Sequence, residues 1–145
     1  MTAADVRRLV SEGVIERVEP DSGTARDEIA AARQHIESVG RIVENDPVGA
    51  FAMAYDAMRK AISAQMRASG YRVTKGKGGH LRTGRYALAA LDHLDIAEHI
   101  DAFDALRQLR NQSEYDALLV DETDVEEALG HARVLVAVVQ TEIGP

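Results

Sequence analysis

The chain has 145 residues, a formal net charge of −7, no cysteine and only 4% aromatic residues. That length suits one domain, residues 1–145, able to bury about two-thirds of its unfolded surface. The missing cysteines exclude disulfides, thiolate metal sites and a cysteine nucleophile, and the richness in Ala, Leu, Val, Glu and Arg favours helices packed through small aliphatics over a sheet.

Thr2 and Asp5 of "TAAD" read as a capping box that opens a short helix to about Glu12. Gly13 ends it, and "VIERVEPDSG" is expected to be a connector punctuated by Pro20 and Gly23. "TARD" at 24–27 starts a second helix with Ile29, Ala32, His35/Ile36, Val39 and Ile42/Val43 on its apolar face. Asp46 as N-cap and Pro47 at the first helical position start a third. Its buried stripe is Phe51, Ala54/Tyr55, Met58, Ile62 and Met66, and Gly70 caps its end.

"YRVTKGKGGH", 71–80, holds three glycines and two lysines and reads as an exposed loop. A fourth helix covers about 81–93, and Asp95 caps a fifth. Thr123 and Glu126 form a capping box for a sixth, with Val125, Leu129, Ala132, Leu135/Val136 and Val139 facing inward. No alternation is long enough for a sheet. The expected fold is all-α, an antiparallel four- to five-helix bundle with a short leading helix. The N-terminus lacks an apolar signal region, and the longest apolar run, "VLVAVV" at 134–139, is far short of the ~20 residues that span a membrane. A cytoplasmic protein without membrane contact is expected.

The net charge hides a segregation. Between Asp56 and Asp92 there is no acidic residue, while Arg59, Lys60, Arg67, Arg72, Lys75, Lys77, Arg82 and Arg85 all fall there. Such an interval either collects phosphates locally or pairs with acidic segments of the same fold.

The fifth helix interrupts its own stripe. In "LRQLRNQSEYDALL", 106–119, Leu106 and Leu109 set a helical rhythm, and then Arg110, Asn111, Gln112, Ser113 and Glu114 stand where buried positions are due. One reading is an outward polar face with an i,i+4 pair of Arg110 and Glu114. The other is that Arg110, Asn111 and Tyr115 face a polar cleft, with the guanidinium available for a bidentate phosphate contact and Arg107 adding charge.

"LRNQSEYD" resembles the motif of the HEPN domain superfamily (higher eukaryotes and prokaryotes nucleotide-binding), in which an Arg is followed by a polar residue and, a few positions on, a His. Arg110 and Asn111 match, whereas Tyr115 stands at the histidine position. "LVSEGVIERVEPD", "DPVGAFAMAYDAMRKAISAQMRASGYRV" and "GKGGH" are similar in order and spacing to small bacterial members, so the resemblance covers nearly the whole chain. It implies a homodimer in which the Arg motifs of both protomers share a cleft. In active members the 2′-hydroxyl of RNA attacks its own phosphodiester without a metal, the His moving protons and the Arg stabilising charge. It also implies toxin or defence roles and a nucleotidyltransferase-type antitoxin as partner, and it includes members that only bind. No cofactor is expected.

The substitution matters chemically. A phenol with a pKa of about 10 is a poor general base at neutral pH, so Tyr115 is left as a proton donor, a stacking ring or a modifiable hydroxyl. His80, at the end of the glycine-rich loop, is the candidate to supply the missing imidazole, with Gly78 and Gly79 letting backbone N–H groups approach a phosphate; the alternative is that it merely begins the fourth helix. No Walker A pattern follows, and His93 and His99 among Asp92, Asp95, Glu98 and Asp101 lack metal-site spacing.

The sequence therefore predicts an RNA- or nucleotide-binding domain. Its catalytic candidates are Arg110, Asn111, Tyr115 and His80, and its phosphate-binding candidates are Arg67, Arg72, Lys75, Lys77, Arg82, Arg85 and Arg107. The two readings are a metal-independent ribonuclease or toxin and a catalytically inactive module partnering a nucleotidyltransferase.

Overall fold

The computed structural model describes residues 3–113 and 120–144. In chain order these form α1 (Ala3–Ser11), β1 (Ile15–Arg17), α2 (Ser22–Ile42), α3 (Pro47–Ser69), β2 (Tyr71–Val73), α4 (Gly79–Ala90), a single 3-10 turn (Asp92–Leu94), α5 (Ala97–Ser113) and α6 (Glu122–Ile143). The architecture is the expected helical bundle with a short leading helix. Tyr115 lies outside the described residues.

The central element is α3, which packs chiefly against α2 and α6. Ala50, Ala54, Ala57, Ala61 and Ala64 are fully buried. These small side chains let neighbouring backbones approach from more than one side. Phe51, Tyr55, Met58 and Ile62, also fully buried, supply the bulk, each worth about 1.5–3 kcal/mol relative to exposure. The start of the helix is over-determined. The Asp46 carboxylate accepts from the Gly49 N–H at 2.9 Å, and a Cβ on Gly49 would lie 2.1 Å from that carboxylate, so the cap requires glycine there.

The ends differ from the sequence reading in four places. The N-cap of α2 is Asp21, which accepts from the backbone N–H and the hydroxyl of Thr24 at 2.9 and 2.7 Å; Thr24 is therefore the partner of the cap. The capping box of α6 joins Asp121 to Asp124, two residues before the predicted pair, because Asp at both N-cap and N3 satisfies the same geometry. Helix α4 starts two residues early, at Gly79, and ends at Ala90. Asp95 adopts a left-handed conformation, φ 55°, between the 3-10 turn and α5.

Two segments read as loop are paired. β1 and β2 form an antiparallel ribbon with Ile15 opposite Val73 and Arg17 opposite Tyr71. Gly70 makes this possible. It closes α3 at φ 87°, a conformation that glycine adopts without strain, and its carbonyl accepts from the Val18 N–H at 2.9 Å. Strands of three residues carry too little alternation to be visible in the sequence.

Candidate functional site

The site begins with how the glycine-rich turn is held. Arg82, in the first turns of α4, donates from its guanidinium to the carbonyls of Thr74 and Gly76 at 2.9 and 3.0 Å and also to that of Lys77. Thr83 donates to the Gly79 carbonyl at 2.9 Å. The arginine read as a phosphate contact thus spends both terminal nitrogens on the loop backbone. In doing so it fixes the N-terminal turn of α4, which carries His80.

His80 is half-buried against Tyr55 of α3. Its Nδ1 lies 3.1 Å from the Tyr55 hydroxyl, and the two rings are 5.6 Å apart between centroids. The Tyr55 ring stacks on Phe103 of α5 at 5.1 Å, and Arg110 of α5 has its guanidinium carbon 5.7 Å from the centroid of the same ring. Tyr55 therefore joins the residue from the loop to the residue from the motif, three helices meeting on one phenol. At that distance the positive charge is attracted to the ring face.

The electrostatics follow from burial and from cations. Burial, and then the charges of Arg59, Arg110 and Arg107, hold the His80 imidazole below its usual range, with Asp56 opposing. His80 is accordingly neutral near pH 7 and has a lone pair to offer. Burial pushes the Tyr55 phenol well above its ordinary range against the same three arginines, so it stays protonated as a hydrogen-bond partner. Burial also works to raise Asp56, but hydrogen bonds and charges from Lys60 and Arg59 outweigh it and hold the carboxyl below the usual range. Asp56 meets Arg59 at 2.7 Å, Lys60 at 2.8 Å and His35 at 3.3 Å. It anchors one wall of the site as a carboxylate.

The remaining predicted residues separate. Arg107 faces the site electrostatically while pairing with Asp104 at 2.9 Å. Asn111 is exposed, as are Lys75 and Lys77. Arg72 pairs with Glu16 at 2.5 Å, Arg85 with Glu12 at 2.9 Å, and Arg67 lies 3.9 Å from Asp21. The basic interval is thus divided: Arg67, Arg72 and Arg85 lie against acidic residues away from the cluster, while Arg59, itself paired with Asp56, joins Arg107 and Arg110 around His80 and Tyr55. His93 and His99 go to different partners, Glu142 at 3.2 Å and His131 at 2.8 Å. Among the described residues no group of three or more His, Asp or Glu side chains converges as a metal cage.

Tyr55 and Arg59 are the members that sequence reasoning missed. Tyr55 is correctly read as a buried stripe position, and that reading conceals its polar end. The available signal was Asp56 and Arg59, charges set beside a buried tyrosine in an otherwise alanine-rich helix.

An all-α domain that gathers arginines and one neutral imidazole in a single cluster is equipped to meet a phosphate. The HEPN domain family model matches residues 23–142, and the chain belongs to that family, whose functions are related to nucleotides or RNA. No curated protein and no solved structure matches the chain significantly. No helix among the described residues is long and apolar enough to cross a membrane.

Proposed function

We propose that the protein is a metal-independent endoribonuclease in which His80 moves the proton and Arg110, with Arg59 and Arg107, stabilises charge on the phosphate. The observation that carries this reading is the Tyr55 hydroxyl at 3.1 Å from His80 Nδ1, on a ring whose neighbour is Arg110. In the tautomer whose Nδ1–H donates to the phenol oxygen, Nε2 has the free lone pair. That nitrogen takes the proton of the ribose 2′-hydroxyl. The 2′-oxygen bonds to phosphorus, the bond to the 5′-oxygen breaks, and the leaving oxygen takes a proton from water. The products are a 2′,3′-cyclic phosphate and a 5′-hydroxyl. Negative charge grows on the phosphoryl oxygens during attack, where preorganised guanidinium groups lower the barrier most. In a homodimer, the arrangement implied by the HEPN resemblance, two such clusters share one cleft, and a nucleotidyltransferase is the matching antitoxin.

A second reading has its own support. Arg67, Arg72 and Arg85 lie against Asp21, Glu16 and Glu12, which leaves less free charge for RNA, and Tyr115 is not an imidazole. On this reading the domain is a silent partner of the nucleotidyltransferase, with Tyr115 as a hydroxyl for that enzyme to modify. Cleavage of RNA in EDTA distinguishes the two. The ribonuclease reading predicts cutting to cyclic-phosphate ends that Arg110→Ala slows by about 10²–10³-fold. A folded wild-type protein that leaves RNA intact at low and high salt supports the silent module.

A further inference from the structure

Away from the Tyr55–His80 cluster, a cleft of about 370 Å³ is lined by Val6 and Arg7 of α1, Arg17 of β1, Gln65 and Ser69 of α3, Tyr71 of β2, Tyr86, Ala89 and Ala90 of α4, and His93. Its size falls within the range of small-molecule sites. Gln65 and Tyr55 stand ten positions apart on α3, about 15 Å along the helix axis, so the two sites are separate.

The cleft is unusual in its floor. Gln65 and Tyr86 are 7% and 1% exposed. The Tyr86 hydroxyl donates to Gln65 Oε1 at 2.6 Å, and Gln65 Nε2 donates to Ser69 Oγ at 3.1 Å. These bonds fix the amide and leave its second hydrogen for another acceptor. Burial pushes the Tyr86 phenol up to about 12, so the floor stays neutral and offers donors rather than charge.

Charge stands at the mouth instead. Arg17 donates to the Tyr71 hydroxyl at 3.3 Å and has its guanidinium carbon 5.6 Å from the centroid of that ring. Arg7 is exposed and in no ion pair among the described residues. No acidic side chain lines the cleft; His93 at its edge pairs with the Glu142 carboxylate at 3.2 Å. The half-buried Tyr71 ring, tilted against Tyr86 with centroids 6.1 Å apart, and the small Ala89 and Ala90 complete the lining. The combination is a cleft with two exposed guanidinium groups at its outer end and a buried amide donor at its base.

We infer that this cleft binds a small aromatic phosphate, the ring between Tyr71 and the two alanines and the phosphate on Arg7 and Arg17. The site is independent of the ribonuclease reading. Calorimetric titration of the whole protein with phenyl phosphate, inorganic phosphate and benzoate tests it. Phenyl phosphate is expected to bind more tightly than either of the others. Arg17→Ala should weaken it by about tenfold or more, the worth of one charge-assisted contact. Ala90→Leu should block the cleft, with RNA cleavage unchanged in both variants. Arg110→Ala should leave phenyl phosphate affinity intact. The inference fails if inorganic phosphate binds as well as phenyl phosphate, if Arg110→Ala and not Arg17→Ala weakens binding, or if none of the three ligands binds at millimolar concentration.

Discussion

Tyr55 and Tyr86 have rings buried alike, 0% and 1% exposed, but their hydroxyls meet different chemistry. Tyr86 finds the Gln65 amide, a group that cannot titrate, so the pair is a permanent fixture between α3 and α4. Tyr55 finds an imidazole with Arg59, Arg107 and Arg110 in electrostatic range. Depressing the affinity of His80 for a proton costs folding free energy at low pH, which the Gln65 arrangement avoids. A fold that needed only to join α3 to α4 would have no reason to surround the junction with arginines. On the proposed ribonuclease reading, the contrast separates a structural polar contact from a reactive one.

The comparison can be broken hardest at Phe103, the platform on which Tyr55 stacks. Phe103 is 1% exposed, and Phe103→Ala should destabilise the protein by about 3–5 kcal/mol in denaturant unfolding, with loss of the site as a secondary result. Next come the tyrosines themselves. Tyr86→Phe leaves the buried Gln65 carbonyl without its donor and should cost about 1–3 kcal/mol while sparing RNA cleavage. Tyr55→Phe should cost less, about 1 kcal/mol, because half-buried His80 reaches water more readily, and it should slow cleavage. If the two variants affect stability and cleavage in the same proportion, the distinction between the tyrosines collapses.

The smallest effect is the pH dependence of stability. Burial, and then neighbouring cations, lower His80, and burial, and then His99, lower His131. Both bind protons less readily folded than unfolded. Their contribution is therefore fully present above the unfolded imidazole value of about 6.5 and is lost as pH falls from there toward their lower folded values. Near His131, Glu127 and Glu98 oppose the shift, and His99 Nδ1 sits 2.8 Å from His131 Nδ1, a contact that joins α5 to α6. The unfolding midpoint should decline below pH 6.5, and His131→Gln should flatten the decline; a midpoint constant from pH 7.5 to 5 would contradict this.

Much of the fold was legible because helices announce themselves locally. Asp46, Pro47 and Gly70 bracket α3 as their cap chemistry requires, and the stripe from Phe51 to Met66 is buried as its period predicts. What was not legible depended on partners distant in the chain. The ribbon pairs residues 54–58 positions apart. The pairing of Arg72 with Glu16 and of Arg85 with Glu12 was hidden too, because no local pattern links those residues. Of the site, Arg110 and His80 were nameable from motif and loop. Their meeting through Tyr55 was not, because periodicity reports that a ring is buried and says nothing about what its hydroxyl touches.

The most direct test sets the two candidate proton carriers against each other. RNA cleavage in EDTA should be measured for wild type, His80→Ala and Tyr115→Phe, each confirmed folded. The Tyr55–His80–Arg110 account predicts that His80→Ala loses about 10²–10⁴-fold, the usual worth of acid–base catalysis, while Tyr115→Phe retains most of the activity. Cleavage that survives His80→Ala but vanishes with Tyr115→Phe would contradict it and move the proton chemistry to the motif tyrosine.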